Sequence, residues 1–278
     1  MTLRSEIERL WAAHEADALA EIDDVDATLS AFLDALEAGD VRAAEPAAGG
    51  PHGWQVNTWV KQGILLTFAS GEITAHVHGD VTYNDVLPLA ATESYADRGT
   101  RNTPDATVVR RGAHIGSSCI LMSPSFVNIG AYVGDETLID SCDTVGSCAQ
   151  LGTGVKLGAN TVIGGVLEPV EDAPVIIEDG VSLGAGCRVT SGFHIGADTI
   201  VAEGVLCSPR LPIYDLVDEE VRYGYIPPER RVFTRYVPSS VGSHPLFEDA
   251  GAFKPAMVAL DVAAETIDRT QREELLRG

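Results

Sequence analysis

Between Ile115 and Ile163 an aliphatic residue recurs at every sixth position, without a miss: Ile115, Leu121, Val127, Val133, Ile139, Val145, Leu151, Leu157 and Ile163. The residues that follow them are Gly116, Met122, Asn128, Gly134, Asp140, Gly146, Gly152, Gly158 and Gly164. The segment VLEPVEDAPVI shifts the phase by two residues, after which the period resumes at Ile177, Leu183, Val189, Ile195 and Val201 and reaches Cys207. A period of six matches neither the helix nor the two-residue alternation of a strand. It belongs to a solenoid whose coil is built from equal short faces. Each hexad is then a short strand plus a turn, with its aliphatic pointing to the axis. The glycine that follows either adopts backbone angles closed to other residues or lets the next coil approach. One hexad cannot bury its own apolar side chain, but stacked coils form a continuous core.

The flanks read differently. Leu3, Ile7, Leu10 and Trp11 have helical spacing, as do Val25, Leu29, Phe32, Leu33 and Leu36, with Gly39 as a stop. A Gly/Pro/Ala-rich loop spans 43–53. WQVNTWVKQGILLTF (54–68) reads as a short helix running into a strand, and GEITAHVHGDVTYNDVLPL is polar and strand-like. Beyond Cys207 the array loses phase in CSPRLPIYDLVDEEVRYGYIPPERRVF, and ALDVAAETIDRTQREELLR predicts a strand and then an amphipathic helix. The expected organisation is a helical and mixed domain over 1–105, a solenoid over 106–235 with an inserted loop near 167–176, and a C-terminal extension over 236–278. The tail could serve as a cap for the last coil.

Composition excludes several classes. The formal net charge is −22, and of 19 basic residues only Lys61, Lys156 and Lys254 are lysines. Such a surface does not suit nucleic acid or anionic membranes. There is no signal-peptide pattern near the start and no run of about 18 apolar residues, so the expectation is a soluble, cytoplasmic protein. The five cysteines, Cys119, Cys142, Cys148, Cys187 and Cys207, are odd in number and contain no C-x-x-C. Free, mostly buried thiols are expected rather than disulfides or a zinc ribbon.

With the hexads placed, the chain resembles the tetrahydrodipicolinate N-succinyltransferases of the succinylase branch of diaminopimelate and lysine synthesis. The motifs are VNIGAYVGDETLID (127–140), TVGSCAQLG (144–152), VIGGVLEP (162–169) and IIEDG (176–180). WQVNTWVKQGILLTF resembles the family's N-terminal domain and IYDLVDEEVRYGYIP (213–227) its post-solenoid hairpin, so the likeness covers roughly residues 25–275. The resemblance implies a mainly β protein, a left-handed parallel β-helix with three hexads per coil, an α/β N-terminal domain and a short C-terminal strand/helix cap. It implies a homotrimer with active sites between neighbouring solenoids. The family moves a succinyl group from succinyl-CoA, a co-substrate rather than a resident cofactor, to the amine of a dicarboxylate acceptor, with no acyl-enzyme and no metal.

Three hexads per coil place Asp140 between the uncharged Met122 and Gly158 on one corner. From the residues alone it is either a turn aspartate bonded to nearby amides or a carboxylate with a function. By resemblance it is the family's catalytic, substrate-contacting aspartate, able to orient an amine or help remove its proton. Arg101, in RGTRNTP, aligns with the family's substrate arginine, whose fork suits a carboxylate; the alternative is a surface ion pair. Gly164, Gly165, Gly184 and Ala185 are candidate contacts for the pantetheine arm. Arg230 and Arg231 are candidates for the CoA phosphates, or for salt bridges to Asp218, Glu219, Glu220 or Glu229.

One departure stands out. In LGAGCRVTSG (183–192) Arg188 occupies the place of a catalytic glutamate of the best-known bacterial members, and Ser191 that of the next acidic residue. Three readings follow: Asp140 works with another base, His194 or Glu203 being candidates; Arg188 binds a carboxylate of a different donor or acceptor; or catalysis is lost. The first is preferred, because an amine attacking a thioester needs only about 10²–10⁴-fold base assistance. A hexapeptide acyltransferase with another donor or acceptor is the main rival. A zinc carbonic anhydrase needs three histidines from adjacent coils, whereas only His114 and His194 lie in or beside the array. A non-catalytic scaffold would favour flat threonine-rich faces, which are absent.

A carboxylate-rich surface repels itself in dilute buffer and is screened by salt. Salt adaptation is therefore expected: the melting temperature should rise steadily from dilute to molar salt, and a flat response would remove the reading.

Overall fold

The computed structural model describes residues 2–104, 107–239, 245–247 and 252–263. Three helices come first, α1 (Leu3–Glu15), α2 (Val25–Ala38) and α3 (Thr58–Ser70). Helix α1 is opened by a capping box between Thr2 and Ser5, and α2 is closed by Gly39 at φ 82°. Ile7, Leu10, Phe32 and Leu36 form the apolar seam between them.

Residues 54–68 reverse the order expected from sequence: a strand, Trp54–Val56, precedes the helix. The misreading has a physical cause. Helix α3 is enclosed on several sides, with Val60, Lys61, Gly63, Ile64, Leu66 and Thr67 all buried, so it has no polar stripe to betray its period. Gly63 is needed there because a Cβ would lie 2.7 Å from the Phe32 ring. The next segment, expected to be strand-like, is a hairpin, Thr74–His78 against Val81–Asp85.

The hexads build three parallel sheets, stacked with an 18-residue register: Val133 pairs with Leu151, Ile139 with Leu157 and Val145 with Ile163. Ile115, Val133, Leu151, Ile177, Ile195 and Ile226 index the first face; Leu121, Ile139, Leu157, Leu183, Val201 and Val232 the second; Val109, Val127, Val145, Ile163, Val189 and Cys207 the third. All are buried in one continuous core. Leu151 pairs with Ile177, so the two-residue phase shift is an eight-residue insertion within a coil that otherwise continues. The array also extends past the point where its period fades in the sequence. After a hairpin, Ile213–Asp215 with Glu220–Arg222, the coil resumes with Ile226 and Val232.

Strands Arg230–Pro238 and Phe253–Asp261 then pair antiparallel and prolong the second sheet. The latter contains the strand expected in the tail; the helix expected after it lies outside the described residues. Among the described residues no helix is long and apolar enough to cross a membrane.

The N-terminal segment lies on the first face and on the corner before it. Ile129 and Cys148 join the core of the three helices. His114 Nδ1 meets the Glu37 carbonyl at 2.8 Å, and the Arg42 guanidinium lies 3.6 Å over the Tyr132 ring.

The two roles offered for the hexad glycine separate cleanly. The left-handed backbone falls three residues after the index position, at Cys142 (φ 65°), Cys148 (64°), Gly154 (67°) and Asn160 (62°). The glycine directly after the index residue serves close approach: a Cβ on Gly134 would lie 2.5 Å from the Gly152 carbonyl oxygen of the next coil. Gly134→Ala should therefore cost about 3 kcal/mol or more, as overpacking against rigid backbone does. Gly154→Ala, at positive φ with nothing within 4 Å, should cost only about 1–2 kcal/mol. Urea melts of both variants check the order; equal losses would refute it.

Candidate active site

Asp140 sits at the corner that follows the second face, immediately after the inward Ile139. The residues that follow the other index positions of that face are Met122, Gly158, Gly184, Ala202 and Phe233, so Asp140 is the only carboxylate directly after an index residue there. Its Oδ1 accepts from the Ser141 N–H at 2.7 Å, and the residue is half-buried. Its own backbone N–H donates to Asp143 Oδ2, also at 2.7 Å.

Asp143 went unnoticed in the sequence, where attention fell on the residue after each aliphatic. It occupies the inward position two residues before Val145. From Ala113 to Val205 the equivalent positions hold Ala, Cys, Ser, Thr, Val or Phe, and Asp143 alone is charged. It is 1% exposed. Its second oxygen, Oδ1, accepts from the Thr161 N–H of the next coil at 2.8 Å. Burial pushes its carboxyl up to about 7, with the neighbouring Asp140 charge adding to the rise, against the two backbone donors that favour ionisation. The available signal was chemical: a carboxylate in a slot of the hexad that the fold keeps dry.

The remaining candidates are spread over the outer surface. Arg101 lies exposed on the second face, two rungs before Leu138. Arg188 is exposed on the third face, two rungs beyond Thr144, which sets it about 10 Å along the axis from the Asp140 level. Gly184 and Ala185 share the Asp140 corner, whereas Gly164 and Gly165 lie at the corner after the third face, where the insertion begins. Gly165 and Gly184 also serve stacking: a Cβ would lie 2.7 Å from Ser147 N and 2.6 Å from Glu203 N, respectively.

The arginine pair divides. Arg231 is exposed on the second face beside Ile200. Arg230 points inward: its Nε donates to Asp215 at 3.1 Å, Nη2 to Asp218 at 3.0 Å and Nη1 to the Pro228 carbonyl at 3.0 Å. That is the ion-pair alternative, so Arg230 is not available to a phosphate.

Neither alternative base joins Asp140. His194 lies on the first face, with Nε2 2.8 Å from Glu178 Oε1. Glu203 is exposed on the Asp140 corner, but three coils beyond Ser141.

Glu178 is a second carboxylate directly after an index residue, Ile177, and its work is structural. It accepts from Trp54 Nε1 at 2.9 Å and from the Ala197 N–H at 3.0 Å, besides His194. Burial raises its carboxyl, but these donors together hold it below the ordinary glutamate value. It borders a cavity of about 500 Å³ shared with Arg42, His52, Trp54 and Tyr132. His52 stacks on Tyr225 at 3.8 Å, closing the joint between the N-terminal segment and the first face.

Comparison with known proteins gives the family. Residues 2–69 match the tetrahydrodipicolinate N-succinyltransferase N-terminal family model. Over its whole length the chain is 38% identical to the 2,3,4,5-tetrahydropyridine-2,6-dicarboxylate N-succinyltransferase of Xylella fastidiosa, covering 98% of that protein. The chain belongs to this family. The enzymes of the same name from Polynucleobacter asymbioticus and Dechloromonas aromatica are 39% and 35% identical, over 91% and 99% of the chain and 90% and 98% of those proteins. Within the N-succinyltransferase framework, the Trp54–Glu178–His194 cluster ties the domain matched by the family model to the solenoid.

Glu178→Ala strands Trp54 Nε1, His194 Nε2 and the Ala197 N–H, of which the first two belong to buried residues. It should lower stability by about 2–3 kcal/mol, the cost of leaving buried donors unpaired. Exchange protection should fall first in the strand Trp54–Val56. Unchanged protection there would contradict the assigned role.

Proposed function

We propose that this chain transfers the succinyl group of succinyl-CoA to tetrahydrodipicolinate, in its ring-opened 2-amino-6-oxopimelate form, on the route to diaminopimelate and lysine. The observation that carries the reading is Asp140, the one carboxylate directly after an index residue of the second face, in a chain related to the named N-succinyltransferases along its entire length. The acceptor's amine attacks the thioester carbonyl, a C–N bond forms, and the tetrahedral intermediate collapses with loss of the CoA thiolate. The amine proton has to leave as that bond forms. Asp140 orients the amine and accepts the proton, which finally resides on the thiol or in water.

Arg101 and Arg188 are the carboxylate-binding groups of this scheme, each suited to a planar anion. They project from different faces of one solenoid, which favours a site closed between neighbours in a homotrimer of left-handed β-helices. Gly164, Gly165, Gly184 and Ala185 leave room for the pantetheine arm, and Arg231 faces outward to meet a CoA phosphate. We place the reaction in the cytoplasm, where the CoA thioester is available.

Thiol release is measured with succinyl-CoA or acetyl-CoA and with tetrahydrodipicolinate or L-2-aminopimelate, in high salt. Release is expected with succinyl-CoA, and Asp140→Asn should lower kcat by about 10²–10⁴-fold without dissociating the oligomer. Release with acetyl-CoA alone would transfer the assignment to another acyl donor, the reading that Arg188 raises. No release with any pair would overturn it.

A further inference from the structure

The scheme above leaves Asp140 without a second carboxylate, because Arg188 stands where the family resemblance implies one. The structure offers a different one, three residues away in the same turn. Asp143 is fixed through both oxygens, by the Asp140 N–H at 2.7 Å and the Thr161 N–H at 2.8 Å. It is enclosed by the solenoid interior, where the index residues on either side, Ile139 and Val145, are apolar.

At the same inward slot, the coil below presents Ser125 and the coil above Thr161, neither of them charged. Ser125 Oγ is itself buried without a hydrogen-bond partner among the described residues. Asp140 is thus the charged group that acts on Asp143. The fold does contain another charged residue in such a slot, Arg230, and supplies it with the carboxylates of Asp215 and Asp218. Among the described residues Asp143 receives no counter-charge. A buried, unbalanced carboxylate is costly, and hydroxyl, thiol or methyl side chains fill the same slot elsewhere, so stacking the coils does not require it.

We propose that Asp143 is a positioning residue for Asp140: it fixes the Asp140 backbone, and its buried negative charge strengthens Asp140 as the proton acceptor for the substrate amine. A like charge nearby disfavours ionisation, so an ionised Asp143 makes Asp140 a stronger base. The effect is present only where Asp143 is ionised, above the pH at which its buried carboxyl releases its proton, and fades below it. The proposal rests on the reading that Asp140 handles the amine.

The test compares pH profiles of kcat/KM for succinyl transfer in wild type, Asp143→Ser and Asp143→Asn, each checked for folding and oligomeric state. Serine matches the stacked Ser125, and asparagine keeps one acceptor oxygen. The expected deficit is about tenfold at pH 8–9, a part of the whole base contribution, and it shrinks below pH 6. A deficit that is uniform across pH, or none, would overturn the proposal by showing a merely structural part. If neither variant folds, the carboxyl ¹³C shift of Asp143 is followed against pH in wild type and in Asp140→Asn. A midpoint near 7 in wild type that falls in Asp140→Asn supports the coupling, and an unmoved midpoint overturns it. Absence of succinyl transfer in the wild type is a separate outcome: it removes the proposed reaction, and with it the process in which Asp143 would act.

Discussion

Everything in this protein depends on how closely one coil can approach the next. Parallel rungs must share backbone hydrogen bonds while the inward aliphatics of each coil meet along the axis. At the corners this brings backbone within contact of backbone, as where a Cβ on Gly146 would lie 2.1 Å from Gly165 N. That distance, more than freedom of φ, explains the glycine after each index residue. It also gives meaning to the exceptions. A side chain in that place needs space made by its neighbours, and Asp140 has glycine next above it on its corner, at Gly158.

The same constraint explains what could be read in the sequence and what could not. The hexads were legible because the period is imposed by geometry that repeats locally and needs no knowledge of distant contacts. The eight-residue insertion looked like a slip of two because only the remainder after six survives in the phase. Ile226 and Val232 were lost behind a hairpin, although they are six residues apart and return to the stack. Helix α3 was misread because its surroundings come from α1, α2 and the solenoid, and a helix enclosed by three partners has no polar face. Asp140 was legible as an exception to the hexad. Glu178, equally an exception, takes its meaning from Trp54, more than a hundred residues earlier, and no spacing rule reveals that hydrogen bond.

The faces of the solenoid divide the labour. The first is covered by aromatic and cationic side chains of the N-terminal segment: Arg42 over Tyr132, His52 on Tyr225, Trp54 on Glu178. The end of the second is prolonged by the C-terminal strands. The candidate carboxylate-binding and phosphate-binding arginines, Arg101, Arg188 and Arg231, stand on the outer second and third faces, which flank the Asp140 corner.

Arg230 and Asp143 show the two reasons a solenoid can keep a charge inside. Arg230 closes the last complete coil, and its partners Asp215 and Asp218 come from the hairpin that interrupts the array; the ion pair secures an insertion that hexad packing alone does not hold. Remove the insertion and the charge has no purpose. Asp143 lies in the middle of an uninterrupted run, secured on both sides by regular rungs, so no irregularity calls for it. Its two bonds are to backbone N–H groups, one of them that of Asp140. A serine or threonine could occupy the slot without the desolvation of a carboxylate. What a carboxylate adds is charge, directed at the residue whose backbone it holds. The energetic penalty and its location therefore lead to the same corner, and to the chemistry carried out there.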